Sequence, residues 1–167
     1  MNQSTSARVL VKIMGMLLLI GGTDRAVKQL GSLIRSYFFH RLHNLPPYPM
    51  SVYAEVFLDG LLGLVAFSAG LAILYNRGWG RATAILQAGL SIVLLLWARI
   101  VSLFTMQSPL IQSAINSPIP ALSWSAEQTQ KWFSTQIVVG WVTFVLLVVW
   151  YSFQIWFFSR PSVKAQF

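Results

Sequence analysis

The chain has 167 residues, of which 56% are hydrophobic and only 10% charged, with a formal net charge of +8. A soluble domain usually carries about 25% charged residues, so a mean hydropathy of +0.63 points to a membrane protein. The Lys and Arg residues are scattered over the ends of apolar segments, a pattern that orients helices against lipid headgroups and argues against nucleic-acid binding. Cysteine is absent, which excludes disulfides, thiolate metal sites, iron–sulfur clusters and thiol catalysis.

A bilayer core about 30 Å thick needs roughly 20 mainly apolar helical residues to cross it. The first candidate, "VLVKIMGMLLLIGG" at about 9–23, is short, so Lys12 is expected to snorkel toward a headgroup layer. Its basic start resembles a signal peptide, but no A-x-A-like cleavage site follows Gly22. Residues 24–39 keep helical periodicity, with Val27, Leu30, Leu33, Ile34, Tyr37 and Phe38 on one side and Arg25, Lys28, Ser32 and Arg35 on the other. This predicts a short amphipathic interfacial helix, or else the wet end of a long first helix. In "HRLHNLPPYP", Pro46, Pro47 and Pro49 stop helix formation.

The second span covers about 52–75, and the polar turn "NRGWGR" joins it to a third at about 82–106. A nearly uncharged connection follows, carrying Pro109, Pro118 and Pro120 and ending in "SAEQ", where Ser125 and Gln128 have capping-box spacing. The fourth span covers about 131–158. The expectation is therefore an all-α polytopic membrane protein, one domain over 1–167, with four transmembrane helices in an antiparallel bundle plus the amphipathic helix.

With the N-terminus inside, Arg8, Lys12, Arg77, Arg81, Arg160 and Lys164 fall on the cytoplasmic side, which favours both termini there. Glu55 and Asp59 then lie at the outer end of the second span, on one face because they are four apart. Arg99 is 18 residues beyond Arg81, about 27 Å along a helix, which brings it to the same level. Asp24, Arg25 and Lys28 arrive from the first segment and Gln136 from the fourth, so a polar layer beneath the outer headgroups is expected. A lone charge in lipid is expensive, so Arg99 is expected to bridge Glu55 or Asp59. A cavity for a proton, cation or polar ligand is the alternative.

The small residues Gly60, Gly63, Ala66 and Gly70 form a stripe on the second span, and Ala84 and Ala88 do so on the third, which predicts that they pack this hairpin. The fourth span presents large residues, including Trp141, Trp150 and Trp156, a face for lipid, a partner subunit, or a bound quinone or pigment. The stretch "GLAILYNRGWGRATAILQAGLSI" resembles the second-to-third helix hairpin of small four-helix bacterial membrane proteins such as the DoxX-like group, whose members are linked to membrane oxidoreductase systems. The likeness consists of Gly, Leu, Ala and an Arg-bearing turn, and assigns no residue a role.

No G-x-S-x-G, phosphate-loop, dinucleotide or zincin pattern occurs, and His40 and His43 share one loop with no nearby acid. Neither catalysis, a metal nor a resident cofactor is expected. The chain reads as a non-catalytic accessory, assembly or stabilising subunit of a larger complex in a bacterial inner membrane, touching lipid and other membrane subunits or a second copy of itself. A small transporter or channel using the charged layer is the alternative, and a membrane immunity or protective protein the next.

Overall fold

The computed structural model describes residues 3–42, 50–106 and 125–167. Among them every regular element is a helix: α1 (Gln3–Leu42), α2 (Met50–Leu74), α3 (Gly78–Met106), α4 (Ala126–Ser159) and the short α5 (Pro161–Lys164). The first four are each long and apolar enough to cross a membrane. His43, the prolines of the 44–49 segment and the 107–124 connection lie outside the described residues. Contacts divide the chain into two compact units, Met1–Ser91 with Ser152–Phe167, and Ile92–Tyr151.

In the first unit α1 is one unbroken helix of 40 residues, about 60 Å long at 1.5 Å per residue. This corrects the expectation of a short first span and a separate amphipathic helix at 24–39 and takes the form of its alternative, one long first helix. No proline interrupts the join, Thr23 Oγ1 bonds back to the Leu19 carbonyl at 2.8 Å, and packing on α2 continues through it. The two expected faces do not sort by burial: Lys28 and Arg35 are exposed, and Leu30 and Leu33 half-buried. Val27, Ile34, Tyr37 and Phe38 point outward, Val27 being 66% exposed, while Ala26 is buried and Arg25 half-buried. In lipid, apolar side chains face outward without penalty, and helices associate through small and polar residues.

Glycines set how closely α1 and α2 approach. A Cβ at Gly15 would lie 2.8 Å from Ile73 Cγ2, one at Gly70 would lie 2.6 Å from the Gly15 carbonyl oxygen, and one at Gly63 would lie 2.6 Å from Ala26 N. Gly22 faces the Phe67 amide nitrogen and the Gly63 carbonyl, and Gly60 sits against Leu30. Residue numbers rise along α1 as they fall along α2. The Gly60, Gly63, Ala66 and Gly70 stripe thus meets α1, where the sequence reading had set it against Ala84 and Ala88 of α3. Both alanines are fully buried.

The turn after α2 is shorter than "NRGWGR", because Gly78 already begins α3. Asn76 takes the left-handed conformation, φ 54°. Its N–H donates to the Ile73 carbonyl at 3.0 Å and that of Arg77 to the Ala72 carbonyl at 2.7 Å. This is a Schellman ending, with Asn in the place usually held by Gly. Gly80 then lies on α2, where a Cβ would be 2.7 Å from that of Ala72. In the second unit the expected capping box forms: Ser125 N–H donates to Gln128 Oε1 at 2.8 Å and Gln128 N–H to Ser125 Oγ at 3.2 Å. It starts α4 at Ala126, earlier than the apolar pattern alone implied.

Candidate functional site

The close contact of α1 with α2 brings Arg25 beside Asp59. Arg25 Nε donates to Asp59 Oδ1 at 3.0 Å, and Nη2 pairs with the same oxygen. From α3, Ser91 Oγ accepts from Arg25 Nη1 at 2.9 Å and from Gln87 Nε2 at 3.0 Å. Three helices of the first unit thereby share one polar node. The Arg25 and Asp59 side chains are only 16% and 22% exposed, while Gln87 and Ser91 are fully enclosed.

Burial makes this node consequential. Removing charges from water is unfavourable unless they are paired and their remaining hydrogen-bonding capacity is used. Here the guanidinium fork spends two arms on the carboxylate and one on a hydroxyl, the geometry for which arginine is suited. One valence is open: Gln87 Oε1 is buried with no partner among the described residues, as is Oε1 of Gln154 on α4. Ser91 already takes two donors, so the Gln87 acceptor and the Ser91 hydroxyl proton are the capacity that this enclosed node leaves unused among the described residues.

Other residues expected in the polar layer have different surroundings. Asp24 and Lys28 pair with each other at 2.8 Å, one turn apart on α1, with side chains 57% and 72% exposed, an arrangement that contributes at most a few tenths of a kcal/mol. Glu55 is exposed and makes no ion pair among the described residues, and Gln136 is exposed. In the second unit, the Arg99 guanidinium carbon lies 4.6 Å from the centre of the Trp141 ring and 5.7 Å from that of Phe144. Asp59 has Arg25 as its partner, where the sequence reading had named Arg99.

Sequence reasoning missed Gln87 and Ser91 because it followed formal charges. Their signal was present: two neutral polar side chains one turn apart in an otherwise apolar helix. A basic end of the first unit is also built by side chains that the sequence had assigned only to flanks. Arg81 Nε donates to the Phe158 carbonyl at 2.6 Å, Arg8 Nε reaches Gln166 Oε1 at 3.5 Å, and Arg160 covers the Trp156 ring at 3.5 Å. Trp150 is half-buried, and Trp141 and Trp156 remain exposed.

No protein-family model matches the chain, and no curated protein or solved structure matches it either.

Proposed function

We propose that this protein is a non-catalytic accessory or stabilising subunit of a larger membrane complex, an antiparallel four-helix bundle in a bacterial inner membrane with both termini in the cytoplasm. One observation carries the reading. The span Glu127–Ser159 on α4 is 33 residues long, and none of its most apolar window is buried within the chain. It carries Val138, Trp141, Val142, Val145, Leu146 and Val149, all exposed. A helix stretch with so many large side chains exposed is suited to packing on another membrane subunit, since aromatic anchors dominate protein interfaces. Extraction in mild detergent, followed by sizing and mass spectrometry, is expected to recover the 18.7 kDa chain inside a larger hetero-assembly. Migration alone or as a homo-oligomer would count against the proposal.

A second reading, a small transporter for a proton, cation or polar solute, draws on the open acceptor of Gln87 beside the Arg25–Asp59 pair. On that reading, Asp59→Asn and Glu55→Gln variants that still fold should lose flux in reconstituted vesicles. Undiminished flux in both would remove the charged residues from any transport path.

A further inference from the structure

We infer that Arg99 and Trp141 form a binding site for the phosphodiester of a membrane phospholipid. The inference needs the chain to span a bilayer and goes beyond the accessory-subunit reading, since it would hold for a lone protein as well.

The starting point is a charge without a counter-charge. Among the described residues Arg99 has no ion pair and no hydrogen bond from its guanidinium. What surrounds it in the second unit is apolar: Trp141 and Phe144 rings on one side and the bare backbone of Gly140, where a Cβ would stand 2.9 Å from Arg99 Nη2. A guanidinium has five N–H donors and no acceptor, and ring faces use only its charge. The unit holds no acid able to complete it. Between residues 92 and 151 the sequence has one acidic residue, Glu127. It is exposed in the first turn of α4 and stands 13 residues before Gly140, about 20 Å along the helix.

The level of the group indicates where an anion would come from. On α4 the residues up to Gln136 are largely polar and those from Ile137 onward apolar, so Gly140 and Trp141 lie one turn inside that boundary. On α3, Arg99 lies seven residues before Met106, the last residue of the helix, or about 10 Å along it. That is the zone where phosphate groups border the hydrocarbon core, and long basic side chains near helix ends reach toward it. With none of its donors spent on an acceptor among the described residues, the guanidinium can present parallel N–H groups. A phosphate ester accepts such a fork in bidentate fashion, and lysine would supply a point charge only. Exposed Trp97, Ile100, Val138 and Val142 offer apolar surface to the acyl chains.

The test is native mass spectrometry of the full-length protein in mild detergent, titrated with phosphatidylglycerol and a phosphate-free galactosyl diacylglycerol of matched chains. The wild-type protein is expected to retain the phospholipid about tenfold more strongly, the scale of a charge-assisted hydrogen-bonded contact. Arg99→Gln should abolish the preference and Arg99→Lys should keep a minor part. Trp141→Leu, which keeps the charge and frees the guanidinium, should lower it several-fold and serves if the Gln variant does not fold. Equal retention of both lipids by the wild type overturns the proposal, as does an unchanged preference in Arg99→Gln or, failing that variant, in Trp141→Leu. Displacement of the phospholipid by millimolar inorganic phosphate overturns the lipid source, because the site would then take a soluble anion. Preference gained only on Glu55→Gln also overturns it, since the guanidinium would then be satisfied by that carboxylate in the intact chain.

Discussion

Gly22→Ala is expected to destabilise the protein severely while Gly21→Ala, one residue earlier in the same helix, leaves it unharmed. A Cβ at Gly22 would collide with the Phe67 backbone nitrogen and lie 2.7 Å from the Gly63 carbonyl oxygen, whereas one at Gly21 meets nothing within 4 Å. The obstacle is backbone in a packed helix pair, so no rotamer change relieves it; the two helices must separate along the contact. Inserting one methyl into a packed interior typically costs about 1–3 kcal/mol, and separation of α1 from α2 would also loosen Gly15 against Gly70 and Leu30 against Gly60. Gly63→Ala, whose Cβ would stand 2.6 Å from Ala26 N, should match Gly22→Ala. Gly31→Ala and Gly89→Ala, both open, should match Gly21→Ala and gain up to about 1 kcal/mol from helix propensity. Thermal unfolding in detergent, followed by tryptophan fluorescence, separates the two groups. Similar melting temperatures for Gly21→Ala and Gly22→Ala would rule out the close α1–α2 contact.

Those glycines also mark how far the sequence could be read. The four apolar spans were legible because length and hydropathy decide them, and the α4 capping box because it depends on two residues three apart. The α2 stripe was visible too, but its partner was not. Spacing shows which residues share a face, while the identity of the opposing helix depends on tertiary structure. Gly15 and Gly22 of α1, seven apart, match Gly70 and Gly63 of α2, seven apart, in the opposite sense. The pairing was therefore written in the sequence, but in a segment that looked too weak to form core. The same limit applies to Glu55 and Asp59. A separation of four fixes a common angle about the helix axis, yet Asp59 lies against α1 while Glu55 is exposed. Periodicity in α1 separated two faces, but burial follows neither of them: Val27 and Lys28 are both exposed, while Leu30 and Arg25 are both half-buried.

The Arg25–Asp59 pair should behave as a unit whose halves cannot be removed separately. Asp59→Asn leaves the guanidinium enclosed between helices with Ser91 as its neutral partner, and breaking a buried pair from one side typically costs about 3–5 kcal/mol. Arg25→Met should be similarly damaging, because the carboxylate then loses its charge partner. The double variant Arg25→Met with Asp59→Leu is expected to recover most of the loss, since apolar replacement of a whole buried pair is often neutral or stabilising. Gln87 Nε2 keeps its bond to Ser91 in that background, so the Ser91 hydroxyl retains one of its two donors. A double-mutant cycle on unfolding free energies measures the coupling directly, and additive losses would mean that the two groups do not depend on each other. The cycle also bears on function. If the apolar double variant folds, and still assembles with its partners, the pair serves helix association and the accessory reading needs nothing more from it. If the double variant folds as well as the parent but solute flux is lost, the charges are retained for what they bind, and the open acceptor of Gln87 becomes part of a transport path.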